Sequence, residues 1–225
     1  EVFFDKGTLD EDELREGIKS GMAHNSFFPV FCLSASKNMG SGRLMGFIDN
    51  VSPSAVDKPP FTTANGKELT YDQSKPTSAF VFKTQYEPNL GKINFLKVVT
   101  GQLKNGQTLV DAVTGKEEHI NNIFIVDGNK RNPVEKLVAG DIGATIKLKD
   151  VETNTTLYEK GFDVKIWPME FPQAKVRKAL FADNKAAEDK LTEVVKKIVS
   201  QDPTYDLTFS KELKQWVLSC QGDLH

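Results

Sequence analysis

The stretch Gly91-Lys92-Ile93-Asn94-Phe95-Leu96-Lys97-Val98-Val99-Thr100-Gly101 decides the fold class of this chain. From residue 93 to residue 100 its apolar side chains alternate or run together, which is the pattern of a β-strand. Asn105-Gly106 follows, and this pair is the strongest short signal for a hairpin turn. The stretch therefore predicts antiparallel strand pairing.

Similar short strands are predicted on both sides of this stretch. They cover residues 79–84, 108–112, 118–126, 141–148 and 162–167. Residues 129–132 read as a polar loop and residues 134–139 as a helical turn. Short strands at this spacing, separated by turn signals, are typical of a closed antiparallel β-barrel. With a linker rich in Pro, Thr and Lys at residues 58–76, we expect a barrel domain at residues 58–167.

The pattern changes after the barrel. A strand is predicted at residues 174–181, then a helix capped by Asp183, then two strands at residues 204–209 and 215–220. The predicted helix carries apolar residues on one face, namely Ala187, Leu191, Val194, Val195, Ile198 and Val199. This β-α-β-β order is most of a split βαβ sandwich, so residues 168–225 are predicted to be a truncated ferredoxin-like α+β domain.

The first 57 residues predict a third module. A helix capped by Thr8 or Asp10 precedes the apolar run at residues 27–33, which we expect to be a strand buried on both faces. A second helix places Leu44, Phe47, Ile48 and Val51 on one stripe. One strand and two helices cannot bury their own faces, so residues 1–57 are predicted to be the C-terminal remnant of an α/β domain. The fold class expected is multi-domain and mainly β.

Composition limits the partners. The 29 basic and 31 acidic residues give a net charge of -2, which argues against DNA binding through a whole-surface cationic field. No apolar run reaches the roughly 18 residues of a membrane span, and no signal peptide is visible. We expect a cytoplasmic protein with no membrane partner, in which Cys32 and Cys220 are reduced core thiols. The start without Met and the end after a strand-like run suggest a segment of a longer protein.

Catalytic motifs are not found in the sequence. The three histidines lie at no metal-ligand spacing, and no Gly-x-Ser-x-Gly elbow is present. Gly40-Ser41-Gly42 opens a predicted helix, but the Gly-x-x-x-x-Gly-Lys-[Ser/Thr] phosphate loop is absent. We predict no catalytic and no metal-binding residue. The loop that begins at Ser34 lies at the carboxyl end of the predicted strand, where open α/β sheets bind ligands.

Several stretches resemble one protein family. Pro29-Val30-Phe31-Cys32-Leu33-Ser34-Ala35-Ser36-Lys37-Asn38-Met39-Gly40 resembles the last guanine-recognition motif of the elongation factor G family of translational GTPases. Residues 51–60 resemble that family's exit from the GTPase domain. Further similar stretches are residues 79–83, 91–101 and 138–144 in the barrel, and residues 202–204 and 222–225 in the third segment. The resemblance covers nearly the whole chain, in the family's order.

The resemblance implies a factor that catalyses tRNA–mRNA translocation on the ribosome using GTP and magnesium. Ser34 and Ala35 would contact the guanine base, and Ser36, where the family usually has phenylalanine, would complete the loop. The barrel would face the RNA of the small ribosomal subunit, and the third segment would relay nucleotide state into movement. Without a phosphate loop, this chain is expected to hydrolyse no GTP and to bind no cofactor by itself.

Other hypotheses remain open at this point. A ribosomal protection protein and a release-factor-recycling GTPase share the same domain layout. A stand-alone RNA-binding barrel could use a basic patch of Lys92, Lys97, Lys130, Arg131 and Lys136, although such residues more often form a solvated face. A small-molecule enzyme on a flavin-type barrel has no pocket residues to support it.

Overall fold

The computed structural model describes residues 2–87, 90–182 and 184–225. The chain forms two compact units. The first contains the residues up to Thr62 together with Glu68–Asp72, and the second contains Thr63–Lys67 and Gln73–His225. No helix in these ranges combines the length and the apolar character that a bilayer crossing would require.

The first unit is mainly helical. Its elements are α1 (Val2–Lys6), α2 (Glu11–Ala23), α3 (Ser41–Val51), a 3-10 turn at Ala55–Asp57, and the short paired strands β1 (Phe61–Thr62) and β2 (Glu68–Leu69). Asp10 caps α2, as predicted, because its side chain accepts the N–H of Glu13 at 2.8 Å.

The predicted buried strand at residues 27–33 is wrong. These residues form no strand, and Phe28 and Val30 are 77% and 90% exposed. A strand needs a neighbour to take its backbone hydrogen bonds, and among the described residues of this unit only β1 and β2 are paired along a ladder. Cys32 is accordingly exposed, which corrects its assignment as a core thiol, whereas Cys220 is buried as expected.

The described residues of the barrel form ten strands. They are β3 (Ser78–Glu87), β4 (Gly91–Thr100), β5 (Gln102–Lys104), β6 (Thr108–Asp111), β7 (Glu117–His119), β8 (Asn121–Asp127), β9 (Lys130–Pro133), β10 (Lys136–Val138), β11 (Ile142–Ile146) and β12 (Thr155–Tyr158). Eight of them form one antiparallel sheet in the order β7-β6-β12-β3-β4-β11-β8-β9, and β5 pairs with β10.

The sheet curls around one apolar core. Leu109 near one end of the strand order and Ile123 near the other belong to the same buried cluster, as do Leu96, Leu137 and Leu157. Backbone hydrogen bonds of 2.8 Å from Gly106 to Ile120 and from Ile120 to Gln107 join the β5–β6 turn to the start of β8. The predicted antiparallel barrel is thereby confirmed.

Three local predictions in the barrel are wrong. Residues 130–133 and 136–138 are strands, not a loop and a helical turn, and residues 162–167 form no strand although Val164 is fully buried. The strand β12 was not predicted. All four residues of β9 are exposed. This charged edge strand therefore has no buried face, and its sequence shows no alternation of apolar and polar residues.

The third segment has β13 (Val176–Leu180), α4 (Lys185–Gln201), β14 (Asp206–Ser210) and β15 (Gln215–Cys220). The strands form an antiparallel sheet in the order β13-β15-β14, which confirms the predicted β-α-β-β succession. The N-cap of α4 is Asn184, whose side chain accepts the N–H of Ala187 at 2.9 Å. The predicted cap, Asp183, lies outside the described residues. Glu193 and Lys197, one helical turn apart on α4, form an ion pair at 2.6 Å.

Candidate functional site

The loop at residues 34–39 is a closed turn. Ser34 and Met39 exchange two backbone hydrogen bonds of 3.0 Å, and the N–H of Asn38 donates to the carbonyl of Ala35 at 3.1 Å. The hydroxyls of Ser34 and Ser36 lie 3.4 Å apart. The turn therefore brings the three predicted guanine-contacting residues together, just before Gly40 and the first turn of α3.

The backbone of this turn uses some of its N–H groups internally and leaves others exposed. The N–H groups of Ser34 and Asn38 are used inside the turn. In the structure as described, those of Ala35 and Ser36 have no intramolecular acceptor, and both residues are exposed. Two adjacent N–H groups of this kind can donate to one external carbonyl oxygen.

A second cluster joins two stretches that are distant in sequence. His225 Nε2 lies 3.1 Å from a carboxylate oxygen of Asp202, and the Tyr205 ring stacks on the His225 ring at 3.8 Å. The N–H of Gln221 donates to His225 Nδ1 at 3.1 Å. Because Nδ1 accepts that bond, Nε2 carries the proton and donates to Asp202.

The surroundings shift the pKa values of Asp202 and Tyr205 in opposite directions. Partial burial by itself raises the pKa of Asp202, but hydrogen bonds from the hydroxyl and N–H of Thr204 and from His225 outweigh it and leave that pKa below its ordinary value. Burial raises the pKa of the neighbouring Tyr205 phenol, and the Asp202 charge adds to this. An ionised Asp202 thus ties the segment after α4 to the turn after β15. Sequence reasoning found both stretches by their resemblance but not their contact.

Metal binding finds no support in the described ranges, where no group of three His, Cys, Asp or Glu side chains could hold an ion. Two of the five basic residues named from the sequence are ion-paired with carboxylates. Lys92 pairs with Glu152 at 2.5 Å, Arg131 pairs with Glu87, and Lys136 lies on the separate β5–β10 ribbon. Lys130 and Arg131 are adjacent on β9, and Lys92 and Lys97 both lie on β4.

The barrel and the third segment meet at a cleft of about 350 Å³. The N–H of Tyr86 on β3 donates to the side-chain oxygen of Gln201 at the end of α4, at 3.0 Å. The cleft is lined by Glu152, Thr153, Lys196, Val199, Ser200, Pro203 and Leu207. Residues of both modules line the cleft. Asp202 is close to this junction, because it lies between Gln201 and Pro203 in the sequence.

Comparisons with known proteins agree with this architecture. The family model for elongation factor G domain 2 matches residues 76–160, and that for elongation factor G domain III matches residues 171–225. An elongation factor G from Mycoplasma genitalium is 31% identical over 227 residues, which covers 99% of this chain and 33% of that protein.

A crystal structure of a protein from Thermus thermophilus has the same fold, with a TM-score of 0.79 at 21% identity over 99% of this chain and 32% of that one. The chain therefore spans about a third of the length of these relatives. The order and the extent of the matches lead to one conclusion: the chain belongs to the elongation factor G family and contains that family's domain 2 and domain III.

Proposed function

We propose that this chain is the part of a ribosomal translocation GTPase that binds the small subunit and relays nucleotide state. The observation that carries the proposal is the succession of domain 2 and domain III in a chain aligned over 99% of its length with an elongation factor G. The proposed modules are residues 1–57 from the GTPase domain, 58–167 as the barrel and 168–225 as the third domain.

Guanine recognition is assigned to the turn at Ser34, Ala35 and Ser36. The exposed N–H groups of Ala35 and Ser36 would donate to the base, while the bonds between Ser34 and Met39 hold the turn. GTP and magnesium would act in the whole protein, because phosphoryl transfer needs a phosphate cradle and a metal ligand. The chain contains no phosphate-loop pattern, so it should not hydrolyse GTP by itself.

Ribosome binding is the direct test. The purified chain should cosediment with small subunits from cytoplasmic extracts, and the bound fraction should fall as salt is raised, because RNA phosphates release counterions on binding. A generic duplex RNA of similar length serves as the control and should bind much more weakly. Equal binding to both RNAs would favour a simple cationic surface and would contradict the proposal.

Nucleotide binding provides a second test. Calorimetry with GDP should show no saturable binding at micromolar concentration, since one base-contact turn cannot replace the phosphate contacts. A control titration with ADP should look the same. Micromolar affinity for GDP alone would show that the turn does more than we assign to it.

A further inference from the structure

The barrel has a second apolar cluster on the outside of its sheet. Successive side chains of a strand point to opposite faces, so Phe95 and Phe124 face away from the core that contains their neighbours Leu96 and Ile123. The outer cluster consists of buried Ile93, Phe124 and Ala144, with Phe95, Val126 and Ile146 partly buried against them. A cavity lies beside this outer cluster and shares Ile93, Phe95 and Val126 with it.

The cavity has a volume of about 490 Å³, within the usual range for small-molecule sites. Its lining residues are Gln85, Glu87, Ile93, Phe95, Val126, Gly128, Asn129 and Arg131. Three of these residues are apolar, namely Ile93, Phe95 and Val126, and four are polar or charged. Glu87 and Arg131 form an ion pair, and their side chains remain 27% and 34% exposed.

The strand register explains why these groups meet. Across β3 and β4, Lys83 stands opposite Phe95 and Gln85 stands opposite Ile93. The ammonium of Lys83 lies 5.5 Å from the centre of the Phe95 ring, which is cation–π distance. On the other side, Val126 pairs with Arg131 in the β8–β9 hairpin. The Phe95 ring, the amides of Gln85 and Asn129 and the Glu87–Arg131 ion pair therefore line one cavity. The ammonium of Lys83 lies beside it, near the Phe95 ring.

We propose that this cavity binds an unpaired purine base of RNA. The proposal rests on the proposed function, in which the barrel faces ribosomal RNA, and it names the part of the RNA that is recognised. A half-buried ring such as Phe95 offers a face for stacking. The amide of Gln85 or of Asn129 can pair bidentately with adenine N6 and N7. The Glu87 oxygen that does not face Arg131 can accept from an exocyclic amine, and the exposed Lys83 beside the cavity can hold a flanking phosphate.

A base inside a duplex could not use this site. Sequence-specific recognition of RNA takes place mostly at loops and bulges, where bases can leave the stack and enter a pocket. The cavity lies between β3, β4, β8 and β9, and it takes one flat group rather than a helix. The site is therefore selective for single-stranded or bulged RNA.

The test uses the full chain and fluorescent RNAs of about 12 nucleotides, a length within the usual range of single-strand binding sites. Single-stranded oligo(A) should bind at least about 10-fold more tightly than a perfect duplex of the same length. Phe95→Leu keeps an apolar side chain but removes the stacking ring, and it should weaken oligo(A) binding by roughly 5- to 100-fold. Gln85→Ala should reduce the preference for oligo(A) over oligo(U). Lys104→Gln, an exposed cation on β5, is the matched control and should change binding by less than about 3-fold.

Each outcome is decisive for the proposal. Unchanged urea midpoints would show that the variants are folded, and an affinity for oligo(A) that is equal in the parent chain and in Phe95→Leu would overturn the inference. So would the absence of oligo(A) binding by the parent chain. Cosedimentation with small subunits separates this result from the proposed function. Ribosome binding without any effect of Phe95→Leu on oligo(A) rejects only the cavity, whereas oligo(A) binding that depends on Phe95, without ribosome binding, rejects only the ribosomal role.

Discussion

Gly101, at the join of β4 and β5, offers a strong test of the barrel packing. Its φ is +71°, and a Cβ atom built there would lie 2.6 Å from the carbonyl oxygen of Lys75 and 2.7 Å from the Cα of Thr77. Real Cβ atoms essentially never approach other atoms so closely, and both neighbours are backbone. Gly101→Ala must therefore displace the chain before β3.

The loss of stability expected for Gly101→Ala has two contributions. A left-handed backbone costs an L-residue about 1–2 kcal/mol, and forced overpacking costs about 1–3 kcal/mol. We expect Gly101→Ala to lower the free energy of unfolding by about 2–5 kcal/mol. Gly106→Ala is the matched control, because its φ is +82° but no atom lies within 4 Å of the added Cβ. It should cost only about 1–2 kcal/mol.

Urea unfolding followed by tryptophan fluorescence provides the assay. Both tryptophans, Trp167 and Trp216, lie in the second unit, so their emission reports the unfolding of the barrel and the third domain. The midpoint of Gly101→Ala should lie clearly below that of Gly106→Ala. Equal midpoints for the two variants would refute the close approach of Gly101 to residues 75 and 77.

Three further predictions concern stability. Leu96→Ala should lower the free energy of unfolding by about 2–5 kcal/mol, because Leu96 is fully buried in the barrel core; urea titration measures this, and a loss below about 1 kcal/mol would contradict the packing. Asn184→Ala should cost about 1 kcal/mol by removing the cap of α4, seen as lower helicity in circular dichroism, and unchanged helicity would argue against the cap. Asp202 has a lowered pKa when folded, so its stabilising contribution is complete above the ordinary pKa of 3.8 and is lost as pH falls through the lower folded pKa. The urea midpoint of Asp202→Asn should therefore lie below the parent midpoint at neutral pH and approach it in acid, below that ordinary pKa, whereas a gap independent of pH would refute the assignment.

The barrel was predictable because several of its strands, such as β5, β6 and β7, alternate between buried and more open positions. Leu103 on β5 and Leu109 on β6 are fully buried in the core, and such residues give a strand its recognisable pattern. The strand β9 gives no such pattern because all its residues are exposed. The apolar run at residues 27–33 gave a wrong prediction because its composition indicates a buried strand. A buried strand also needs neighbouring strands, and a local sequence pattern contains no information about them.

The candidate sites differ in the same way. The turn at Ser34 could be found from a local motif, because its residues are consecutive and its hydrogen bonds are short in range. The contact of His225 with Asp202 spans 23 positions and depends on how β14 and β15 pair. The outer cavity depends on the register of four strands, and a shift of one residue would turn Phe95 to the other face.

The central claim is that this chain docks on the ribosome through the surfaces of an elongation factor G. Displacement tests it most directly: labelled chain is bound to ribosomes, and an unlabelled full-length elongation factor G is added with a non-hydrolysable GTP analogue. We predict that the full-length factor releases the bound chain completely at saturation. Retention of the chain beside a saturating amount of the factor would show that the two use different surfaces and would contradict the account.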